Sequence, residues 1–245
     1  MRTLVKLSWV EVKLLLREPL TVVFALALPL MILYVLGGVS GEEVVAGFYR
    51  DVEPMSYYVP VYIGLVIASI GLITIPTHLA GYRERGVLKR LHASSMPAWA
   101  VGGAEVAVAV VIAATSSLLL VAAAAVVYDF AAPNSLLTVV GAFLLAVFMF
   151  AALGVLLGAV LPTARAAQAL GLLLWFMMLM LAGAGPPPEA MPSGMRTAGS
   201  LTPLKHVIYI MQDAWLGLDA GRSLLVVVVI LVLSILLALR FFRWE

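Results

Sequence analysis

The sequence predicts an all-α membrane protein with six transmembrane helices. Three observations support this class: the composition, the length of the apolar stretches and the placement of the basic residues. Hydrophobic residues make up 64% of the 245 residues and charged residues only 11%, against about 45–50% and about 25% in soluble globular domains. A soluble chain of this size has too few polar side chains to cover so much apolar surface. The composition therefore excludes a soluble enzyme, a nucleic-acid-binding protein and a disordered protein.

The first predicted element is an amphipathic helix over residues 1–19 that lies along the membrane surface. With a rotation of 100° per residue, its basic side chains share one arc and its apolar side chains lie on the opposite side. The basic residues are Arg2, Lys6, Lys13 and Arg17. Trp9 lies near the boundary of the two faces, as in interfacial helices, and Pro19 ends the helix. The alternative is a longer first span that begins with a charged tail.

Residues 20–245 are predicted to form one domain of six membrane-spanning helices. A helix that crosses the hydrocarbon core needs about 20 mostly apolar residues. Six stretches meet this requirement: Leu20–Gly38, Tyr57–Thr77, Ala100–Tyr128, Ser135–Leu161, Ala166–Ala184 and Ser223–Leu239. On the fourth stretch, small residues recur as Ala151, Gly154 and Gly158, a spacing that favours close packing against another helix.

The basic residues are distributed unequally between the two sides of the membrane. One side holds Arg2, Lys6, Lys13, Arg17, Arg83, Arg85, Lys89, Arg90, Arg165, Arg240 and Arg243. The other side holds only Arg50, Arg196, Lys205 and Arg222. Because short cytoplasmic loops are enriched in Lys and Arg, this distribution predicts a multi-pass protein of the cell membrane with both termini in the cytoplasm.

Several chemical features are missing from the sequence. No Gly-x-x-x-x-Gly-Lys-Ser/Thr motif is present, so the chain is not expected to bind ATP through a phosphate loop. No ionisable residue lies in the middle of a predicted span, whereas ion-coupled carriers usually need one there. Cysteine is absent and the histidines lack metal-ligand spacing. We therefore expect no cofactor or metal in this chain, and an energy source outside it.

The segment between the second and third spans is the most charged part of the chain. It runs from Arg83 to Leu91 and continues to Pro97. After Gly86 it predicts a short helix with Leu88 and Leu91 on one side and two basic residues on another. In its order of residues the segment resembles the cytosolic loop of type-2 ATP-binding-cassette (ABC) permeases.

Two further segments resemble the same family in the same order. Trp9 to Pro19 is similar to the N-terminal connecting helix of these permeases. Gly185–Pro192, followed by Leu201–Leu204, is similar to their outer hairpin. The resemblance implies six spans, a cytosolic coupling helix, and a re-entrant outer hairpin before the last span that acts as a gate.

The resemblance also implies partners and a function. The coupling helix would dock on a separate nucleotide-binding ATPase subunit, which holds ATP and Mg²⁺, and the permease would work beside a second copy or a paralogue. The candidate coupling residues are Arg83, Glu84, Arg85, Gly86, Leu88, Lys89, Arg90 and Leu91. The basic side chains supply charge-assisted contacts and the leucines a small apolar knob. The expected activity is export of a hydrophobic or amphipathic substrate: a drug-like molecule, a lipid or a lipid-linked glycan.

A substrate pathway lined by the second and fifth spans is a further implication of the resemblance. The candidate residues are Tyr58, Tyr62, Ser69, Gln168, Trp175 and Met178. Aromatic and methionine side chains offer adaptable apolar contact, and Ser and Gln offer hydrogen bonds. The alternative is that these side chains are interfacial anchors and packing residues.

Two other functional classes remain open at this point. One is an intramembrane enzyme that uses His78, His92 and Glu105, although interfacial positions are the simpler interpretation of these residues. The other is an ion-coupled secondary transporter, which the spans without central charges disfavour.

Overall fold

The computed structural model describes residues 23–41, 43–93, 98–219 and 221–241, which are helical apart from turns and loops. The amphipathic helix predicted over residues 1–19 lies outside these ranges, as do Ser95, Met96 and Pro97 of the charged segment. The described helices are α1 (Leu28–Ser40), α2 (Pro54–Glu84), α3 (Val87–Ala93), α4 (Ala98–Val127), α5 (Leu136–Val160), α6 (Ala164–Leu181), α7 (Ser193–Ser200), α8 (Pro203–Leu216) and α9 (Gly221–Phe241).

Five of the described helices are long and apolar enough to cross a membrane: α2, α4, α5, α6 and α9. The first predicted span is helical over its described part, as a π-helical turn at Val23–Ala27 followed by α1, and residues 20–22 lie outside the described ranges. The predicted all-α membrane class is therefore confirmed, and the count of six spans stays a prediction. The second span extends seven residues beyond its predicted end at Thr77, so that it carries Arg83 and Glu84.

Helix α2 is the centre of the bundle. Every residue from Pro54 to Pro76 is buried, because α1, α4, α5, α6 and α8 all pack around this helix. A helix that is apolar on all sides is a buried one, and α2 has no exposed face along this length. Helix α9 is peripheral: it packs on α5 and α8 and leaves most of its leucine and valine side chains exposed.

A π-helical turn at Ile70–Thr74 interrupts α2 just before Pro76. Proline has no N–H, so the carbonyl of Leu72, four residues earlier, has no helical donor. The hydrogen-bond pattern of the helix changes there from a spacing of four residues to a spacing of five, and the Ile75 N–H donates to the Ile70 carbonyl. The same arrangement precedes Pro29 in the first helix, where the π turn also ends two residues before the proline.

Glycines of α5 and α6 allow both helices to lie directly on the π turn of α2. A Cβ atom at Gly171 would overlap the Leu72 carbonyl oxygen, and one at Gly154 would overlap the Gly71 carbonyl oxygen. Farther along α5, a Cβ at Gly158 would lie 2.8 Å from the Leu79 Cβ. The close-packing face predicted on the fourth span is thus confirmed at its two glycines.

Candidate functional site

The bundle has two polar ends. The basic end comprises residues 81–93, residues 161–165 and Arg240. The acidic end comprises residues 41, 43–54, 128–135, 182–202, 217–219 and 221–222. The candidate coupling residues all lie at the basic end, where the ends of α2, α5 and α6 meet.

Arg83 binds the C-terminal end of α5. Its Nη1 donates to the Ala159 carbonyl at 2.7 Å, and its Nη2 donates to the Gly158 carbonyl at 3.2 Å and to the Leu161 carbonyl. The last carbonyls of a helix have no partner within the helix and carry partial negative charge. The guanidinium therefore stabilises the end of α5 and holds it against α2.

Glu84 binds the helix that begins next. Its Oε2 accepts a hydrogen bond from the N–H of Ala164, the first residue of α6, at 3.1 Å. The Thr163 hydroxyl caps the same helix by accepting from the Ala166 N–H at 3.1 Å. A carboxylate at a helix N-terminus is favoured by the helix dipole. Arg83 and Glu84 thus hold both sides of the turn between α5 and α6, each with the charge that its helix end attracts.

Leu88 anchors α3 to the bundle. The chain turns at Gly86, whose φ of +68° is readily available only to glycine, and α3 begins at the next residue. The Leu88 side chain is 1% exposed and packs with Leu79 of α2 and Val101 of α4. Leu88 was predicted to form, with Leu91, a small apolar knob for the ATPase subunit. It is instead buried against two spans, and this burial fixes the short helix in place; its part in coupling stays a prediction.

Three cations of the charged segment remain at the surface of the basic end: Arg85, Lys89 and Arg90 are exposed. We call them the cationic triad. Arg85 donates from Nε to the Gly81 carbonyl at 3.2 Å, and its guanidinium lies 6.0 Å from the centre of the Tyr82 ring. The side chain of Leu91 lies outside the described part of the structure. The structure thus divides the predicted coupling set into residues that hold the chain together and residues that face outward.

The chain matches the family model of the ABC-2 type transporter over residues 3–216. The chain belongs to the ABC-2 type transporter family. It is therefore an ABC-2 permease membrane domain, as the resemblance in the sequence indicated. This membership favours an ABC permease over an intramembrane enzyme and over an ion-coupled secondary transporter. No curated protein sequence matches this permease significantly.

The predicted pathway residues of the permease lie inside its own bundle. Tyr62 and Trp175 are 0% exposed, and Tyr58, Ser69 and Met178 are also buried. Gln168 is half-buried. The Trp175 Nε1 donates to the Leu65 carbonyl at 3.2 Å, and the Ser69 hydroxyl donates to the Val66 carbonyl at 2.7 Å. Their part in a substrate pathway stays a prediction.

Tyrosines of α2 hold the segment that follows α6. The hydroxyls of Tyr57, Tyr62 and Tyr58 donate to the carbonyls of Gly183, Ala184 and Gly185 at 3.1, 2.9 and 3.4 Å, respectively. The Tyr58 and Tyr62 rings stack with their centres 5.7 Å apart. These bonds satisfy carbonyls of an irregular segment that no helix satisfies. We call the three tyrosines the tyrosine ladder; it fixes the beginning of the segment that leads from α6 to α7 and α8.

An ion pair that the sequence analysis missed lies at the acidic end of the permease. Arg50 approaches the buried Asp213 of α8 at 2.7 Å and donates to the Gln212 Oε1 at 3.2 Å. Arg50 also lies between Tyr49 and Asp51, and all three residues have positive φ values of 54–61°, which non-glycine residues rarely adopt. Charge spacing gave no signal for this pair, because its members are separated by more than 160 positions.

Helix α8 also carries two side chains, the buried Lys205 and the half-buried Tyr209, whose pKa values are shifted. Burial raises the pKa of the Tyr209 phenol and lowers the pKa of Lys205, and the Arg196 charge lowers the pKa of Lys205 further. The Lys205 Nζ donates to the Arg196 carbonyl at 3.3 Å and lies 5.9 Å from the Tyr209 ring centre. The lysine thus links α8 to α7.

Replacing Arg50 with alanine is expected to destabilise the permease by about 1–3 kcal/mol, because Asp213 then keeps a buried charge without its counter-ion. The double variant R50A/D213N should recover much of this loss, since its buried amide carries no charge. Thermal unfolding in detergent measures both. An R50A variant as stable as the native permease would contradict the assignment.

The alternative of an intramembrane enzyme was based on His78, His92 and Glu105. Within the described ranges, no group of three or more His, Asp or Glu residues is placed to hold a metal ion. His78 and Glu105 are buried within the bundle, and their position at the membrane interface stays a prediction. The His92 side chain lies outside the described part of the structure.

Proposed function

We propose that this permease is the membrane subunit of an ATP-driven exporter and that the cationic triad is the surface on which its ATPase subunit docks. The observation that carries the proposal is the combination of three exposed cations with a rigid attachment beneath them. Arg85, Lys89 and Arg90 face outward, while Leu88 and Arg83 fix the same segment to the bundle. Exposed arginines and lysines suit acidic or carbonyl groups on a partner. ATP and Mg²⁺ belong to that partner in this proposal.

The attachment beneath the triad offers a route for mechanical coupling. Leu88 contacts α2 and α4, Arg83 binds the end of α5, and Glu84 binds the start of α6. A displacement of α3 therefore acts directly on α2 and α4 and, through the end of α2, on α5 and α6. Such a rigid linkage would transmit closure of the ATPase subunits to the helices, as expected when packed elements move together.

Orientation follows from the charge distribution. We place the basic end in the cytoplasm of the cell, according to the positive-inside rule, and the hairpin of α7 and α8 on the outer side. Leu204 and Ile208 of α8 approach Gly64, which lies ten residues into α2 from Pro54, or about 15 Å along that helix. This depth supports a re-entrant hairpin, with the tyrosine ladder as its attachment.

The proposed substrate is a hydrophobic or amphipathic molecule such as a drug, a lipid or a lipid-linked glycan, and the active assembly contains a second copy of the permease or a paralogue. On α6, the side chains of Phe176, Met177 and Met180 are exposed. Aromatic and methionine side chains adapt to apolar ligands of varied shape. These three residues therefore extend the predicted pathway set, whose buried members Tyr62 and Trp175 would need an opening of the bundle to meet substrate.

Charge reversal of the triad tests the docking proposal. The variant R85E/K89E/R90E should fold normally, because all three side chains are exposed, and should lose at least tenfold in affinity for the co-expressed ATPase subunit. Substrate-stimulated ATP hydrolysis should fall with it. The measurements are co-purification and ATPase activity in nanodiscs, with R196E, an exposed arginine at the opposite end, as the matched control.

Three results would decide against the proposal. A triad variant that co-purifies with the ATPase and keeps its stimulated activity would remove the triad from the interface. Equal losses in R196E would indicate a general charge effect. Substrate turnover without any ATPase would favour the enzyme class.

A further inference from the structure

A cavity of about 390 Å³ opens at the acidic end, beside the last helix. It is lined by Ser200 at the end of α7, by Leu201 of the turn that follows, by His206 of α8, and by Arg222, Ser223, Val226 and Ile230 of α9. Its volume lies within the range of small-molecule sites, about 300–1,000 Å³. Neither the coupling residues nor the predicted pathway residues line it.

The mouth of the cavity is polar and carries basic side chains. Arg222 is exposed in the first turn of α9. His206 contacts the Ser200 carbonyl through Nε2 at 2.9 Å and the Ser223 hydroxyl through Nδ1 at 3.4 Å. These contacts fix the imidazole and the hydroxyl next to the guanidinium. The first N–H groups of a helix also favour an anion, and here they come with the Arg222 cation.

The rest of the cavity is apolar and follows α9 inward. Arg222, Val226 and Ile230 are spaced four residues apart and so share one face of the helix. The distance from Arg222 to Ile230 is about 12 Å along the axis. Because α9 is one of the membrane-spanning helices, the apolar part of the cavity extends from the polar mouth toward the hydrocarbon region.

We propose that this cavity binds an anionic phospholipid. The phosphate lies at the mouth, against Arg222 and the first N–H groups of α9, and an acyl chain runs along Val226 and Ile230. A free phosphate ion would use the mouth and leave the apolar wall unused, so the shape of the cavity favours the lipid. A basic residue near a membrane surface attracts anionic lipid headgroups. The proposal depends on membrane insertion and is independent of the ATPase partner.

The test compares lipids and variants of the full-length permease in a neutral detergent. Phosphatidylglycerol, phosphatidylcholine and inorganic phosphate are added separately, and bound lipid is counted by native mass spectrometry together with the shift in Tm. R222Q removes the charge of the mouth, and V226W fills the apolar part. The matched controls are R196Q at the same end and L225W, a neighbouring exposed position on α9 outside the cavity lining.

Phosphatidylglycerol is expected to bind the native permease and both controls and to raise their Tm, with phosphatidylcholine at least tenfold weaker. R222Q should lose this preference, and V226W should lose the bound lipid. If V226W does not fold, R222Q alone tests the proposal, because Arg222 is exposed and its replacement should leave the fold intact. Equal lipid binding by R222Q and R196Q would overturn the proposal. An equal Tm shift from inorganic phosphate would also overturn it, in favour of a simple anion site.

Discussion

Gly171→Ala is expected to prevent the permease from accumulating in its folded form. The added Cβ would overlap the carbonyl oxygen of Leu72, which is main chain and cannot rotate away as a side chain can. Pro76 supplies no N–H to this carbonyl, which lies against Gly171 of α6. Overpacking in a well-packed core lowers the free energy of unfolding by about 1–3 kcal/mol and occasionally more. Because the clash here is with main-chain atoms, we expect a loss at the upper limit of this range or beyond it.

The measurement is the fraction of monodisperse protein and its Tm after extraction into detergent. Gly154→Ala should behave in the same way, since its Cβ would meet the Gly71 carbonyl. Gly141→Ala is the matched control: it lies in α5, is exposed and has open space around its Cβ. There the extra methyl should leave stability unchanged or raise it by about 0.4–1 kcal/mol, because alanine restricts the unfolded chain. Equal stability of G171A and G141A would contradict the packing described here.

Arg83→Ala is expected to destabilise the basic end by about 2–4 kcal/mol. The substitution removes hydrogen bonds from a charged donor to three carbonyls at the end of α5, and bonds to charged groups are worth about 1.5–3 kcal/mol each before water replaces some of them. Hydrogen–deuterium exchange should rise in the last turn of α5 and the first turn of α6. Thermal unfolding gives the overall loss.

Arg85→Ala provides the control for this prediction. Arg85 is two positions away and equally basic, but it is exposed and its described hydrogen bond is to its own helix. R85A should keep the free energy of unfolding within about 0.5 kcal/mol of that of the native permease. If R83A were as stable as R85A, Arg83 would belong with the docking residues. If both lost stability equally, the distinction between anchoring and exposed residues would be incorrect.

The division of the charged segment illustrates what a local pattern can predict. The spacing of leucines and basic residues after Gly86 correctly predicted a short helix, because helical periodicity depends only on neighbours in the sequence. The same pattern assigned Leu88 to an apolar surface that contacts the ATPase subunit. Whether an apolar side faces a partner or its own bundle depends on Leu79 and Val101, which come from two other helices.

The second span shows in the same way that a local pattern does not predict which side chains other helices cover. Its length and hydropathy predicted a transmembrane helix, but they did not predict that other helices enclose it completely. In lipid, an outward-facing leucine and a buried one look alike in composition, because the bilayer and the protein interior are both apolar. The buried positions of Tyr62 and Trp175 therefore followed from the arrangement of the surrounding helices. The Arg50–Asp213 pair likewise required chain folding to bring its members together.

The sequence by itself determined the membrane class, the approximate spans, the asymmetry of charge and the family to which the resemblance pointed. All of these depend on composition or on residues close together along the chain, where hydrophobic length and charge act directly. Only the tertiary structure decided which charges are used inside the chain and which remain outside: Arg83 and Glu84 bind helix ends, while the cationic triad stays exposed. The physical reason is that a helix end attracts a charge only when folding brings the two together, since the unpaired carbonyls of α5 lie more than 70 positions from Arg83 in the sequence.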